Sequence, residues 1–102
     1  MRKTIPLLLA ALFGMLPGRA LAQDEAVAAG AEIYAADCAV CHGERLRNPG
    51  TSFDLREFRA DERARFEQAV LDGKGQMPPW RGVLSDEQRD QIWAYIRAYA
   101  YE

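Results

Sequence analysis

The feature that most constrains this chain is the run from Cys38 to His42, in which two cysteines separated by two residues are followed at once by a histidine. Two thiols about one helical turn apart can each add to one vinyl group of the same porphyrin, and the adjacent imidazole can then bind its iron. The chain contains 2 cysteines and 1 histidine, and all of them lie in this run. The motif therefore predicts that Cys38 and Cys41 attach a c-type haem and that His42 is an axial ligand of the iron.

Other uses of a Cys-x-x-Cys pair fit the sequence less well. A thioredoxin-like dithiol needs a strand–helix–strand context, which the sequence does not offer. A structural zinc site needs four ligands and usually a second cysteine pair. A disulfide between Cys38 and Cys41 would leave His42 without a role. One covalent haem c is the interpretation that uses all of these residues.

The first residues indicate export. A short basic start, Met1–Lys3, precedes an apolar stretch from Ile5 to Leu16, and Ala20-Leu21-Ala22 fits the small-x-small rule for signal peptidase. The apolar stretch is shorter than the ~20 residues that a membrane span needs, which argues against an uncleaved anchor. We therefore expect residues 1–22 to be a cleaved signal peptide and residues 23–102 to be one small mature domain in the periplasm of a Gram-negative bacterium.

Charge and size limit the partners of the mature domain. The leader contains Arg2, Lys3 and Arg19 and no acidic residue, so the mature domain is more acidic than the whole chain, whose net charge is −2. Such a domain has no bulk attraction for nucleic acid or anionic lipid. We expect no nucleic-acid partner, no stable membrane insertion and a monomer.

The remaining sequence predicts three helices joined by irregular loops, and hence an all-α fold. The first helix is expected over about 25–38 and the second over about 61–72, where Gly73 is a natural stop. The third is expected to run from Ser85 to the C-terminus, because Ser85 and Gln88 have the spacing of a capping box.

A second iron ligand is offered by Met77, which lies in a glycine- and proline-bounded segment, Gly73–Trp80, that should be off any helix. Met1 and Met15 leave with the leader, so Met77 is the only thioether of the mature domain. Thioether sulfur favours ferrous over ferric iron and raises the reduction potential. We expect His42 and Met77 to be the axial pair. A lysine or water is the alternative ligand, and Met77 packed on the porphyrin edge without binding iron is the other.

Together these motifs resemble a class I c-type cytochrome, the short bacterial monohaem cytochrome c. The resemblance covers essentially all of residues 25–100 and rests on Gly30-x3-Tyr34-x3-Cys38-x2-Cys41-His42-Gly43, on Gly75-x-Met77-Pro78 and on Ile92-x2-Tyr95-Ile96. It implies a small cytochrome c fold, with three main helices around one covalent haem and crossing N- and C-terminal helices. Carried onto this chain, the crossing would bring Gly30 and Tyr34 against Ile92 and Tyr95.

The resemblance also implies contacts around the haem. In this family a proline carbonyl accepts a hydrogen bond from the second ring nitrogen of the proximal histidine. This bond fixes the orientation of the ring and its strength as an iron ligand. Pro49 is the candidate for that role here. Trp80 and several arginines are candidate partners of the haem propionates, namely Arg45, Arg47, Arg56 and Arg59.

The function that the resemblance implies is one-electron transfer, not enzymatic catalysis. Segments 52–58 and 77–84 are similar to small cytochromes that serve quinoprotein alcohol dehydrogenases. We therefore expect periplasmic redox partners, with a quinoprotein dehydrogenase as donor and a terminal oxidase as acceptor. Two alternatives stay open: a haem c subunit of a dehydrogenase or oxidase complex, and a haem sensor or enzyme with an open sixth position.

The small size of the mature domain leads to a prediction about its haem-free form. A chain of this length is barely large enough to bury a core of its own, and a covalently held porphyrin would supply the missing apolar interior. We expect the haem-free domain to lack a cooperative thermal transition when followed by circular dichroism. A sharp, two-state melt of the haem-free protein would contradict this expectation.

Overall fold

The computed structural model describes residues 16–101, which form a mostly helical domain. Its α-helices are α1 (Leu16–Asp37), α2 (Ala39–His42), α3 (Arg63–Asp72) and α4 (Asp86–Ala98). Single turns of 3-10 helix at Glu44–Leu46, Leu55–Glu57 and Ala60–Glu62 lie between α2 and α3. Within the described residues, the only β-type pairing is an isolated bridge between Lys74 and Met77. The predicted all-α fold with three main helices is confirmed.

The start of α1 differs from the prediction. Residues 1–15, which hold most of the predicted signal peptide, lie outside the described residues, and residues 16–22 form the first turns of α1. All of residues 18–25 are exposed, and the contacts of α1 with the core begin at Val27. The helix therefore begins before the expected position 25, but its packed part begins close to it. No helix among the described residues combines the length and hydropathy that a membrane span requires.

The first and last helices pack together at Gly30. This residue is buried, and a Cβ atom added to it would lie 1.9 Å from the carbonyl oxygen of Gln91 and 3.0 Å from the Cβ of Tyr95. One turn further along, the ring of Tyr34 packs on that of Tyr95, with their centroids 5.3 Å apart. The predicted contact between these helices is confirmed, although Gln91, not Ile92, faces the glycine.

The hydrophobic core lies between α1, α3 and α4 and includes two residues of the segment between α2 and α3 and one of the segment before α4. Among the described residues its buried members are Tyr34, Leu46, Phe58, Phe66, Val70, Leu84, Ile92, Tyr95 and Ile96. Phe58 meets both Phe66 and Trp93 edge-on, with centroids 6.2 and 5.6 Å apart. Such edge-to-face pairs contribute beyond the apolar area that they bury.

The end of α3 and the start of α4 follow their sequence signals, whereas α4 ends at Ala98 and not at the C-terminus as expected. Gly73 ends α3 with a φ of 77°, and its N–H donates to the carbonyl of Ala69 at 2.9 Å. Ser85 and Gln88 form the predicted capping box, with backbone-to-side-chain distances of 2.9 and 3.1 Å. The segment before α3 forms a single 3-10 turn, so α3 begins at Arg63 and not at the expected position 61.

An arginine that sequence reasoning did not single out connects α3 to α4. Arg89 is buried, and its Nε donates to Glu67 Oε2 at 2.7 Å. Its Nη1 donates to the carbonyl of Leu84 at 2.8 Å, and its Nη2 contacts Asp86. A buried guanidinium must have its donors satisfied, and this set of acceptors fixes the start of α4 against α3.

The packing at Gly30 predicts that alanine destabilises the protein at this position, although it stabilises most helices relative to glycine. In a solvated helix, alanine is more favourable than glycine by about 1 kcal/mol, but a Cβ at position 30 would overlap the backbone of α4. We expect Gly30→Ala to lower the free energy of unfolding by about 1–3 kcal/mol, the usual cost of overpacking. Chemical denaturation of the holoprotein measures it.

The control is the reverse change at an exposed position of the same helix. Ala28 is exposed, so Ala28→Gly should lose about 1 kcal/mol through helix propensity alone. If Gly30→Ala were as stable as the wild type or more stable, the close contact of the two backbones would be refuted.

Candidate haem site

The residues of the attachment motif lie at the junction of α1 and α2. Cys38 precedes α2, and its carbonyl accepts from the N–H groups of Cys41 at 3.3 Å and His42 at 3.0 Å. The two cysteines are therefore one helical turn apart, and both are free thiols. This is the arrangement that attachment of one porphyrin through two thioethers requires.

The two thiols have different surroundings. Cys38 is half-buried and packs against the core, whereas Cys41 is exposed. Burial, with a further contribution from the Asp37 carboxylate, raises the pKa of Cys38 to about 12. The thiol therefore stays protonated at neutral pH. A thioether has no proton to lose, so it suits this apolar position well, and the residue fits a covalent haem bond.

The imidazole of His42 is oriented by a backbone carbonyl. Its Nδ1 lies 3.2 Å from the carbonyl oxygen of Phe53, which is 11 residues away in the sequence. A carbonyl only accepts hydrogen bonds, so Nδ1 carries a proton in this contact, and in the neutral imidazole the lone pair is then on Nε2. This is the state in which histidine binds a metal, with its second nitrogen held by an acceptor.

The carbonyl that contacts His42 is not the expected one. The resemblance pointed to Pro49, but the structure places Phe53 at this position. The ring of Pro49 lies instead beside Gly43, where an added Cβ would be 3.3 Å from the proline Cδ. The physical reason is the closure of the loop after Pro49, which brings the following residues back to α2.

Two polar side chains close that loop. Asn48 donates from Nδ2 to the carbonyl of Ser52 at 2.9 Å and accepts at Oδ1 from the N–H of Gly50 at 2.8 Å. The hydroxyl of Ser52 then donates to the carbonyl of Cys41 at 3.0 Å. These bonds place the next residue, Phe53, beside His42. The sequence indicated a loop here, but it carried no signal for this particular closure.

The turn after His42 contains tight and left-handed backbone. Gly43 has a φ of 94°, and an added Cβ would lie 1.8 Å from the carbonyl oxygen of Arg47. Arg45 and Leu46 also have positive φ angles, of 53° and 65°. Left-handed backbone costs a non-glycine residue roughly 1–2 kcal/mol. Burial of the Leu46 side chain, at 1% exposure, contributes about 1.5–3 kcal/mol and offsets that cost.

Met77 lies off any helix, as the sequence predicted. It closes a short turn with Lys74, in which the two residues exchange backbone hydrogen bonds of 3.0 and 3.1 Å and Gly75 takes a φ of 59°. Its side chain is half-buried and packs against the core. Trp80 is also half-buried, and its N–H donates to the carbonyl of Val70 at 2.8 Å, which connects this loop to α3.

Some of the arginines proposed as partners of the haem propionates already form ion pairs with carboxylates of the protein. Arg56 donates from Nε to Asp54 at 3.2 Å, and Arg59 pairs with Asp61 at 3.0 Å. Arg45 and Arg47 are exposed. Contact of these arginines or of Trp80 with haem propionates stays a prediction.

Comparison with known proteins gives consistent matches. The profile of the family described as "Cytochrome C oxidase, cbb3-type, subunit III" matches residues 25–96. The chain is 34% identical over 90 residues to the quinohemoprotein alcohol dehydrogenase ADH IIB of Pseudomonas putida, a match that covers 85% of this chain but only 13% of that protein. It is 34% identical over 91 residues to cytochrome c6 of Rippkaea orientalis, covering 84% of this chain and 80% of that protein. Cytochrome c6 of Limnospira maxima is 33% identical over 79 residues, covering 69% and 89%. No solved structure matches the chain.

The hydroxyl of Tyr34 connects α1 to the turn after His42, which leads to a prediction. It donates to the carbonyl of Gly43 at 2.6 Å, and burial raises the pKa of Tyr34, so it remains a donor at neutral pH. We expect Tyr34→Phe to lower the free energy of unfolding by about 1 kcal/mol, the typical contribution of one hydrogen bond. Denaturant titration of the holoprotein measures it.

Tyr99→Phe is the matched control, because Tyr99 directly follows α4 and its ring is exposed. A surface change of this kind should alter stability by no more than about 0.5 kcal/mol. Equal stabilities of the two variants would show that the Tyr34 hydroxyl contributes nothing.

Proposed function

Since the chain belongs to the cytochrome c family and carries a covalently bound haem c, we propose that it is a one-electron carrier whose single haem is attached at Cys38 and Cys41. When bound, the haem supplies one-electron chemistry at its iron. The observation that carries the proposal is the position of His42, whose Nδ1 lies 3.2 Å from the carbonyl oxygen of Phe53, directly after the two free cysteines of the motif.

Met77 is proposed as the second axial ligand. Its thioether is half-buried in a loop whose turn is fixed by the backbone bonds with Lys74. Soft sulfur stabilises ferrous iron and thereby raises the reduction potential. If His42 and Met77 both held the iron, no position would be left for oxygen or a substrate. This favours a carrier over a sensor or an enzyme with an open sixth position.

The different exposure of the two cysteines suits electron exchange. Cys38 packs against the core, whereas Cys41 is exposed and the neighbouring Val40 is 91% exposed. A group bound to both thiols would have one attachment point in the interior and the other at the surface. The protein would thus shield most of the group while leaving an edge near Cys41 for transfer to a partner.

Export to the periplasm is also proposed, with cleavage after Ala22 and a mature domain of residues 23–102. Residues 18–22, which this cleavage would remove, are exposed, so their loss would take no buried side chain from the domain. The family match begins at residue 25, close to where α1 starts to pack. Both observations support a domain that does not depend on the preceding segment.

The proposed partners are periplasmic redox proteins. The similarity to part of a quinohemoprotein alcohol dehydrogenase supports a quinoprotein dehydrogenase as donor, and a terminal oxidase would be the acceptor. A second candidate function is that of a haem c subunit of an oxidase or dehydrogenase complex, which the description of the matching family favours. Copurification with the membrane fraction would indicate the subunit, and release in a periplasmic extract the shuttle.

The axial ligands are tested by absorption spectroscopy and redox titration of the purified holoprotein. We expect a c-type spectrum on reduction and a methionine–iron charge-transfer band in the oxidised form. Met77→Ala should abolish that band and lower the reduction potential, because the sulfur that stabilises ferrous iron is lost.

Gln76→Ala is the control, since Gln76 is exposed next to Met77 in the same turn, and it should leave the band and the potential unchanged. The ligand assignment to Met77 would be wrong if Met77→Ala retained both properties. Rapid binding of carbon monoxide by the reduced wild type would favour the open-site alternative.

A further inference from the structure

The last residue that the structure describes is bonded to the loop that orients His42. The hydroxyl of Tyr101 donates a hydrogen bond to Asp54 Oδ2 at 2.6 Å. The backbone N–H of Tyr101 donates to the carbonyl of Arg56 at 3.0 Å. The Arg56 guanidinium also lies over the tyrosine ring, with its Cζ 4.9 Å from the centroid. Asp54 and Tyr101 are 47 residues apart in the sequence, so these contacts bind the segment after α4 to the loop before α3.

The Asp54 carboxylate uses both of its oxygens in this contact. Oδ1 accepts from the N–H of Arg56 at 3.1 Å and from its Nε at 3.2 Å, while Oδ2 accepts from Tyr101. Burial alone would raise the pKa of Asp54, but the hydrogen bonds from Tyr101 and Arg56 bring it below its usual value. The group is therefore an ionised acceptor at neutral pH, and such charge-assisted bonds are stronger than neutral ones.

Three consecutive residues form what we call the strap, Ser52-Phe53-Asp54. The Ser52 hydroxyl is bonded to the carbonyl of Cys41, and Asp54 is bonded to Tyr101. Between them, the carbonyl of Phe53 accepts from His42 Nδ1. Because the residue on each side of Phe53 is fixed by its own side chain, the direction of the Phe53 carbonyl is fixed as well.

We propose that Tyr101 and Asp54 are positioning residues for His42, acting through the carbonyl of Phe53. The inference rests on the proposed function, in which Nε2 of His42 binds the iron. Donation from Nδ1 makes the imidazole a stronger ligand, which favours ferric iron. A carbonyl that is less well held would weaken this bond and raise the reduction potential.

Tyr101→Phe in the holoprotein is the decisive variant, because it removes the hydroxyl but keeps the ring, the contact with Arg56 and the backbone bond. We expect the potential to shift upward and the His42 Nδ1 proton of the reduced protein to exchange faster with solvent, as measured by nuclear magnetic resonance. The exchange rate should rise by up to about tenfold, the factor that corresponds to the ~1.4 kcal/mol at the upper end for one hydrogen bond. Asp54→Asn, which removes the charge at similar size, should shift both properties in the same direction.

Tyr99→Phe removes a tyrosine hydroxyl from an exposed residue near the end of the same segment, and it should change neither the potential nor the exchange rate. If Tyr101→Phe lowers the free energy of unfolding while the potential and the exchange rate stay unchanged, Tyr101 is only structural and the inference is overturned. Equal shifts in Tyr99→Phe would overturn it too. The proposed function is judged separately, on the absorption spectrum of the wild type: a spectrum without histidine ligation would overturn that function whatever the variants do.

Discussion

The contact between Gly30 and the backbone of Gln91 is the constraint on which the rest of the structure depends. The two chains approach so closely that a single added carbon would overlap the carbonyl, which fixes the register of α1 against α4. Tyr34, one turn later, packs on Tyr95 and donates to Gly43. Because Cys38 directly follows the last residue of α1, the contact that aligns the two helices also fixes where the haem motif begins and where the chain turns after it.

The loop between α2 and α3 is ordered by a different kind of interaction. It has few buried apolar side chains, and its backbone groups need partners that neither a helix nor a sheet provides. Asn48, Ser52 and Asp54 supply them with side-chain hydrogen bonds to nearby backbone groups. The same bonds place the Phe53 carbonyl beside His42. In this small domain, the orientation of His42 therefore depends on short polar side chains and not on the hydrophobic core.

The sequence predicted the features of the helices better than the hydrogen bonds of the loop. The attachment motif, the stop at Gly73 and the capping box at Ser85 are each marked by a residue type at a fixed spacing, and all were predicted from the residues, whereas the close contact at Gly30 was implied by the family resemblance. The partner of His42 was not, because every residue has a carbonyl and no residue type marks the one that will be used. Family resemblance favoured Pro49, whereas loop closure selected Phe53. The contact of Tyr101 with Asp54 joins distant segments, which local patterns do not reveal.

The two proposed iron ligands are held by different elements of the domain. His42 is held through the strap, which is bonded to the segment after α4, and the loop of Met77 is bonded to α3 where the N–H of Trp80 meets the carbonyl of Val70. The buried Arg89, paired with Glu67, connects α4 to α3. Movement of one ligand relative to the other would therefore disturb bonds between helices. Electron transfer is fastest when ligands rearrange little between oxidation states, so this connection between the helices favours a carrier over a site that must open to bind a substrate.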